Sequence, residues 1–358
     1  MAYAVIMAGG IGSRFWPQSR ENNPKQFLAI HGGDTLIRST MSRLRGIIPD
    51  ENVFVVTHRR YVDQTQEQLP TVPAENILAE PVGRNTGPCI ALAAIQLLAR
   101  DPDAIMIALP ADHVIRNSRR FHKALRTAIG KAKEKDTLVT IGIEPTHPET
   151  GYGYVQYEGH VDRDLKTPEA LPVRTFAEKP DIETAERFLD SGDFLWNSGI
   201  FVWRADSILN AIQHHLPKVF RAFEPVRDAL GTAQETKAVS EAYAKSPTIS
   251  IDYGVMERAD KVFVVPASFG WSDVGDWAAV YTLRKKDKQG NTLNGNVILN
   301  DSSRCLIDAN QRLVVLIGMH DTIVVDTEDA LLICNRESAQ QVKNIVDYLH
   351  AHRLEDYY

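Results

Sequence analysis

The chain has 358 residues, of which 44% are hydrophobic and 24% are charged, and its formal net charge is −6. This length predicts one large domain with a sizeable core plus a smaller one. Lysine and arginine form no basic stripe, which argues against nucleic acid as the main ligand because backbone binding needs concentrated positive charge. A small phosphorylated ligand needs only a few local cations and stays open.

The three cysteines, Cys89, Cys305 and Cys334, are scattered along the chain and show no C-x-x-C spacing. Neither a disulfide framework nor a zinc site is therefore expected. The N-terminal run AYAVIMA lacks a charged leader, and no window reaches the apolar length of a membrane span. We expect a cytoplasmic protein with neither a membrane nor a nucleic acid as partner.

Short apolar runs alternate with helical patterns through the first 143 residues. The runs that we expect to form strands are YAVIMA, NVFVVT, NILA, AIMIAL and TLVTIGI. The segments between them are typical of helices, beginning with DTLIRSTMSRL, for which Asp34 is the expected N-cap. Continuous apolar strands that alternate with helices predict an α/β fold whose parallel sheet is covered on both faces.

The regular alternation of strands with helices ends at about residue 145. GYGYVQY and VRTFAEKP predict antiparallel strands with ligand-facing loops, and SGIFVWRADSILNAI predicts a strand that runs into a helix. Helical segments follow to about residue 245. Beyond about residue 290 come short strands with polar breaks, and then a final helix, SAQQVKNIVDYLHAH. We predict a catalytic domain over residues 1–288 and a small β module over residues 289–358.

The stretch AGGIGSRFWPQSRENNPKQF, residues 8–27, leaves the first strand at its carboxyl end, where α/β sheets bind ligands. Glycines let backbone N–H groups approach an anion closely. The stretch is not a P-loop, because no Lys-Ser or Lys-Thr follows its glycines, and Phe15 stands where a dinucleotide fingerprint needs a third glycine. The second strand also lacks a terminal acid for a ribose. Phosphate binding is predicted, and a tight turn with incidental cations is the alternative.

GGIGSRFWPQSRENNPKQF resembles the signature of the sugar-phosphate nucleotidyltransferases, which join a nucleoside triphosphate to a sugar 1-phosphate and release pyrophosphate. The Trp-Pro variant and the downstream motifs resemble the mannose-1-phosphate guanylyltransferase branch of that family. The resemblance implies GTP and mannose 1-phosphate as substrates. It also implies a Rossmann-like domain with a mixed, mostly parallel sheet, a β-helix-like C-terminal module and a homodimer.

The resemblance further implies roles for several residues of the Gly-rich stretch. Arg14 and Lys25 would stabilise the departing pyrophosphate. The residues that would cradle the triphosphate are Gly9, Gly10, Gly12 and Ser13.

LAEPVGRNTGP, residues 78–88, is the expected nucleobase loop. A carboxylate can accept from both N1–H and N2–H₂ of guanine, which makes Glu80 the candidate for reading the base. Asn85 and Thr86 would fix the base or the ribose. The alternative is that Asn85 or Thr86 caps the following helix, and both roles are compatible.

Two acids far apart in the chain are the candidate metal ligands. Asp112, in ALPADHVI, follows a parallel strand, and Asp273 lies in FGWSDVGDW. Mg²⁺ takes oxygen ligands and commonly uses one or two protein carboxylates. The resemblance pairs Asp112 with Asp273 as a Mg²⁺ site, and we interpret Asp276 as a helix-capping or supporting residue.

GYGYVQY, FAEKPD and LWNSGIFVW match the sugar-binding motifs of the family. Glu178, Asn197 and a backbone amide near Gly153 would bind sugar hydroxyls, and Lys179 would bind the sugar phosphate. Asp252, in SIDYGVME, is expected to support this region rather than to contact the ligand.

Alternatives remain open at this point. The chain could use another sugar phosphate or another base, or it could be a non-catalytic sensor of nucleotide sugars. A sensor has no physical need for the whole charged set of Arg14, Lys25, Asp112, Lys179 and Asp273. Some relatives carry a fused isomerase domain, but this chain stops at Tyr358, so we expect no phosphomannose isomerase activity.

Overall fold

A computed structural model describes residues 1–159 and 168–358. The chain divides into two compact units. The sheet unit comprises Met1–Gly9, Met41–Ala111 and Ile115–Trp271. The module unit comprises Gly10–Thr40, Asp112–Val114 and Ser272–Tyr358.

The strands form where apolar runs were expected. In chain order they are β1 (Ala2–Ala8), β2 (Val53–His58), β3 (Ile77–Glu80), β4 (Ile105–Pro110), β5 (Val114–Ile115), β6 (Leu138–Ile143), β7 (Gly153–Tyr157), β8 (Leu171–Glu178), β9 (Phe194–Arg204), β10 (Val262–Ala267), β11 (Trp271–Ser272), β12 (Thr292–Asn294), β13 (Val297–Asn300), β14 (Leu306–Asp308), β15 (Val314–Ile317), β16 (Thr322–Asp326) and β17 (Leu331–Asn335).

The α-helices of the described residues follow the amphipathic segments. They are α1 (Leu36–Leu44), α2 (Val62–Gln68), α3 (Thr86–Arg100), α4 (Ser118–Ala132), α5 (Ile182–Ser191), α6 (Ala205–His215), α7 (Pro217–Ala229), α8 (Glu235–Lys245), α9 (Trp277–Leu283) and α10 (Val342–Ala351).

The sheet unit is built on a nine-stranded sheet with the order β3-β2-β1-β4-β9-β6-β10-β8-β7. The strands β1 to β4 are mutually parallel, and β10 is parallel to β6. The strand β9 is antiparallel to both β4 and β6 and lies between them. The α/β fold with a mixed, mostly parallel sheet is confirmed, and β9 separates two strands that a purely parallel order would place side by side.

One core cluster of the sheet unit lies between the sheet and the helices α3, α6, α7 and α8, and the buried side of α4 packs against β6, β9 and β10. Its buried side chains include Ile90 and Leu97 on α3, Phe201 on β9 and Phe223 on α7. The helix α3 is rich in Ala and Leu on nearly every face, as expected of a helix with neighbours on several sides. This helix begins at Thr86, shortly after β3 ends at Glu80.

The module unit contains short stacked strands. The strands β12, β14 and β16 are parallel neighbours, β17 pairs antiparallel with β16, and β13 pairs in parallel with β15. Trp277, Leu306, Ile323 and Val342 are buried together in one cluster. The predicted small β module is confirmed. Its final helix α10 begins at Val342, because residues Arg336–Gln341 form a tighter 3₁₀ turn.

The expected N-cap of α1 was wrong by one residue. The helix begins at Leu36, and the hydroxyl of Thr35 rather than Asp34 accepts from the amide of Arg38 at 3.5 Å. Both residues are common caps, so only the backbone path selects between them. In the described parts of the chain, no helix is both long enough and apolar enough to cross a bilayer.

Candidate active site

The Gly-rich stretch after β1 forms a loop whose two ends are joined. The amide of Lys25 donates to the carbonyl of Ile11 at 3.0 Å, and the hydroxyl of Ser19 donates to the same carbonyl at 2.6 Å. Gly12 has a φ of 76°, and a Cβ at this position would overlap the Cβ of Lys25. Glycine is therefore required at position 12 both by conformation and by space.

Lys25 connects the two candidate metal ligands within the module unit. Its ammonium donates to Oδ2 of Asp112 at 2.7 Å and to the main-chain carbonyl of Asp273 at 2.8 Å. The residue is only 6% exposed, whereas Arg14 is exposed on the same loop. Two of the three ammonium donors are thus used within the protein.

Asp112 is held in its ionised form. Its partial burial would raise the pKa of the carboxyl group, but the charge of Lys25, then the charge of His113 and the hydrogen bond from Lys25, hold this pKa below its ordinary value. An ionised carboxylate beside a strand end is the ligand type that Mg²⁺ prefers.

The carboxylates of Asp112 and Asp273 fit a divalent cation whose coordination shell is completed by other ligands. The described residues contain no group of three or more His, Cys, Asp or Glu side chains placed to hold a metal. Asp112 and Asp273 supply two carboxylates, and Mg²⁺ commonly takes its remaining ligands from substrate phosphates and water.

In the sheet unit, Glu80 ends β3 and is only 4% exposed. Its Oε1 accepts from the hydroxyl of Tyr243 at 2.7 Å. A Cβ at Gly9 would lie 2.9 Å from its Oε2, so a side chain at position 9 would crowd the carboxylate. Burial raises the pKa of Glu80 to about 7, although the hydrogen bond from Tyr243 opposes this rise.

Asn85 and Thr86 both have structural partners. The side chain of Asn85 caps α3 by accepting from the amide of Thr86 at 2.8 Å, with a φ of 66°. The hydroxyl of Thr86 accepts from the amide of Ile251 at 2.9 Å. The capping alternative is confirmed for Asn85, and a contact with the nucleotide stays a prediction for both residues.

The carboxyl end of α8 and the segment after it lie against this loop, which sequence reasoning missed. The amide of Gly87 donates to the carbonyl of Ile249 at 2.9 Å, and the guanidinium of Arg84 donates to the carbonyl of Tyr243 at 3.2 Å. No motif marked residues 243–251 as neighbours of the base loop. The only available signal was the position of Tyr243 on the apolar face of a predicted helix.

The predicted sugar-binding residues meet where the start of β7 and the end of β8 lie beside Asn197 of β9. The Lys179 ammonium forms an ion pair with the carboxylate of Glu178, and a Cβ at Gly153 would overlap that carboxylate. Lys179 adopts a φ of 51°, which is unusual for a residue with a side chain. Burial would lower the pKa of Lys179, but its hydrogen bond with Glu178 and that residue's charge raise it overall.

Asn197 is locked by three hydrogen bonds. Its Oδ1 accepts from the hydroxyl of Thr140 at 2.9 Å and from the amide of Gly199 at 3.2 Å, and its Nδ2 donates to Asp252 at 2.8 Å. Burial, and then the charge of Glu178, raise the pKa of Asp252 to about 6. Because both acceptor positions of the Asn197 amide are used, only its second N–H can serve a ligand.

Asp276 caps a helix, as expected. Its Oδ1 accepts from the amide of Ala279 at 3.0 Å at the start of α9. This helix follows directly after the loop that carries Asp273, so the cap fixes the backbone on the carboxyl side of that residue.

Comparison with known proteins decides the family. Residues 3–290 match the nucleotidyl transferase family. The chain belongs to the nucleotidyl transferase family. In addition, residues 295–349 match the MannoseP isomerase/GMP-like beta-helix domain, which agrees with the stacked strands of the module unit. The family that the Gly-rich stretch resembles is thus confirmed.

Named relatives of this nucleotidyl transferase cover 97–100% of its length. A mannose-1-phosphate guanylyltransferase from Klebsiella pneumoniae is 40% identical over 100% of the chain and 76% of its own length. The alginate biosynthesis protein AlgA from Pseudomonas aeruginosa is 39% identical over 97% of the chain and 72% of its own length.

The fold is also that of a solved structure. The crystal structure of a mannose-1-phosphate geranyltransferase from Thermus thermophilus has a TM-score of 0.88 and 31% identity, covering 98% of this chain and 99% of that one. The fold of this nucleotidyl transferase, including its β-helix-like module, is therefore shared with that protein over nearly the full length of both chains.

Proposed function

We propose that the chain is a mannose-1-phosphate guanylyltransferase, which transfers GMP from GTP to α-D-mannose 1-phosphate and gives GDP-mannose and pyrophosphate. The observation that carries this proposal is the linkage of Asp112, Lys25 and Asp273 at the Gly-rich loop, in a chain of the nucleotidyl transferase family. The full-length relatives named for this activity support the choice of sugar and base.

The reaction needs no general base. The sugar-phosphate oxygen is already anionic at neutral pH, and it attacks the α-phosphorus of GTP in line. A new P–O bond forms, the bond from the α-phosphorus to the bridging oxygen breaks, and its electron pair leaves with pyrophosphate. The protein therefore has to bring two polyanions together and to neutralise their charge.

The cations and the loop divide this work. Arg14, which is exposed, would bind the terminal phosphates directly, and Lys25 would offer them its remaining N–H while it orients Asp112. The main-chain amides of the Gly9–Gly12 turn and the hydroxyl of Ser13 would donate to the triphosphate. Asp112 and Asp273 would hold Mg²⁺, which supplies Lewis-acid neutralisation of phosphate charge when bound.

The second ligand group would bind mannose 1-phosphate. Lys179 would hold the attacking phosphate, Glu178 would accept from sugar hydroxyls, and the free N–H of Asn197 would donate to one of them. Asp252 would act through Asn197 by fixing the orientation of its amide. Glu80 would accept from the Watson–Crick edge of guanine.

We also propose that the chain forms a homodimer through the module unit, and we retain a cytoplasmic location as a prediction. The strands β13 and β15 carry the exposed apolar side chains Ile298, Val315 and Ile317 on one face. An apolar face of this kind is typical of an interaction surface.

The test is pyrophosphate release with mannose 1-phosphate and Mg²⁺, measured with GTP, ATP, UTP, CTP and dTTP in parallel. GTP-dependent release with GDP-mannose as product is the expected result. Release with another triphosphate would retain the reaction but overturn the role of Glu80. If none of the five reacts, other sugar phosphates are tried first and direct binding of GDP-mannose, as by a sensor, second.

A matched pair of variants tests the role of Asp273. D273N should abolish Mg²⁺-dependent turnover, whereas D276N, three residues away, keeps an acceptor oxygen for the cap of α9 and should retain turnover. Unchanged metal dependence in D273N would contradict the paired carboxylates.

A further inference from the structure

The carboxylate of Glu80 in the base loop is buried, and it accepts a hydrogen bond from a neutral side chain on another element. That side chain is Tyr243 on α8, which is fully buried and packs its ring edge-on against Phe223 at a centroid distance of 5.3 Å. Its hydroxyl lies 2.7 Å from Oε1 of Glu80. No sequence motif includes Tyr243, and the reaction derived above makes no use of it.

The hydrogen bond has a directional consequence. A carboxylate with two equivalent oxygens can rotate about its terminal bond, but a phenol donor on Oε1 holds one oxygen in place. The other oxygen, Oε2, is then left on the side of Gly9, where the Gly-rich stretch begins. Because Tyr243 is itself held by burial and by the bond from Arg84 to its carbonyl, the orientation of the carboxylate is set by α8.

We infer that Tyr243 is the positioning residue for purine selection: it holds Glu80 so that one carboxylate oxygen is presented to the edge of guanine. This inference deepens the proposed function and rests on it. Tyr243 does not touch the nucleotide in this arrangement. It acts through Glu80, so its loss weakens recognition of the base and leaves the reacting phosphates unaffected.

The surroundings of Glu80 also predict a pH dependence. Tyr243 from α8 and the buried thiol of Cys89 from α3 face Glu80, and His58 on β2 is its register partner. The helix α2, which packs on β3, carries Asp63 and Glu67. The hydrogen bond from Tyr243 lowers the pKa of Glu80, so removal of the hydroxyl should shift the onset of tight GTP binding to higher pH.

The experiment compares the wild type with Y243F and with Y281F as the matched control. Y243F removes one oxygen atom and keeps the ring that contacts Phe223. The hydroxyl of Tyr281 donates to the carbonyl of Gly290 instead of to a carboxylate. For each protein, kcat and KM are measured from pH 6 to 9 with GTP and with inosine 5′-triphosphate, which lacks the 2-amino group, and folding is checked by thermal melting.

For Y243F we expect KM for GTP to rise about tenfold, because one hydrogen bond to a buried charge is lost. The kcat should stay within about twofold of the wild type. The preference for GTP over inosine 5′-triphosphate should fall. The pH below which KM for GTP increases should be higher in Y243F than in the wild type. Y281F should match the wild type in all three readouts.

Two results would overturn the inference. In the first, the wild type uses GTP and the Y243F variant keeps both the preference for GTP and the pH profile of the wild type. The other is a Y243F variant whose kcat falls while KM and the preference stay unchanged, since that is the signature of a structural role alone. A wild type that does not use GTP would instead reject the proposed function, and with it the inference.

Discussion

At the scale of single residues, three acids of the candidate site occupy different environments. Asp112 has a cation, Lys25, as its partner, and its pKa is held low. Glu80 and Asp252 have neutral partners, Tyr243 and Asn197, and burial raises the pKa of each. Asp112 is therefore stabilised as the carboxylate, whereas the pKa of Glu80 is raised to about 7 and that of Asp252 to about 6.

Replacement of Glu80 by glutamine should make the protein more stable at high pH. A buried acid with a raised pKa favours the folded state while it is protonated, and this stabilisation is lost as the pH rises from about 4.5 through about 7. E80Q should therefore be more stable than the wild type by about 3 kcal/mol at pH 8 and by less than about 1 kcal/mol at pH 5. Urea unfolding at the two pH values measures this difference.

The control for this measurement is E75Q, which changes an exposed acid in the turn before β3. Its stability should follow that of the wild type at both pH values. A difference between E80Q and the wild type that does not depend on pH would show that the carboxyl group is not titrating in the folded protein.

Arg14 and Lys25 share an expected role but differ in their surroundings, so their variants should differ. R14A should lower kcat by about a hundredfold and leave the unfolding free energy unchanged, because the side chain is exposed. K25M should lower kcat at least as far and also reduce stability by about 2 kcal/mol, because Asp112 loses its counter-charge. Turnover assays and urea unfolding test both. Equal stability of K25M and the wild type would contradict the structural half of this role.

At the scale of elements, the amino end of α3 lies within the predicted base loop, so the residue that caps the helix is also a candidate binding residue. Asn85 caps this helix from an unusual backbone conformation. N85A should reduce the unfolding free energy by about 1 kcal/mol, whereas N85D, which keeps an acceptor oxygen, should stay close to the wild type. If urea unfolding separates the two variants in the reverse order, the cap does not support the helix.

The local elements could be predicted from the sequence because their signals are local. The apolar run of β2 is buried at its first five residues, and the Asp276 cap lies directly before α9. The position of β9 could not be predicted, because an 11-residue apolar strand fits equally well beside several neighbours. The contact of Tyr243 with Glu80 could not be predicted either, because the two residues lie 163 positions apart and only tertiary packing brings them together.

At the scale of the whole molecule, the module unit differs from the predicted module in its composition. It includes the Gly-rich loop, residues 10–40, together with residues 112–114 and the chain from Ser272 onward. The predicted domain boundary at residue 288 stays a prediction. The loop was assigned to the first domain because it follows β1 in the chain, whereas packing around Phe15 and Trp277 places it with the C-terminal strands.

The apolar face of the module unit gives a prediction about assembly. Ile298 is 53% exposed and Ile317 is 66% exposed, and the alternation along β13 and β15 directs Leu299 and Leu316 inward. If this face is the dimer interface, a variant with both I298K and I317K should sediment as a monomer at micromolar concentration while retaining its fold.

The matched control is I182K, which places a lysine at an equally exposed isoleucine at the start of α5 in the sheet unit. This variant should sediment like the wild type. A wild type that is monomeric at all concentrations, or a dimer that persists in the double variant, would argue against this face as the interface.

The joined ends of the Gly-rich loop also affect the thermodynamics of ligand binding. Since the amide of Lys25 and the hydroxyl of Ser19 both bond to the carbonyl of Ile11, the loss of chain entropy needed to close this loop occurs during folding. An incoming nucleotide therefore meets an ordered turn, and its binding energy is not reduced by the cost of ordering the backbone.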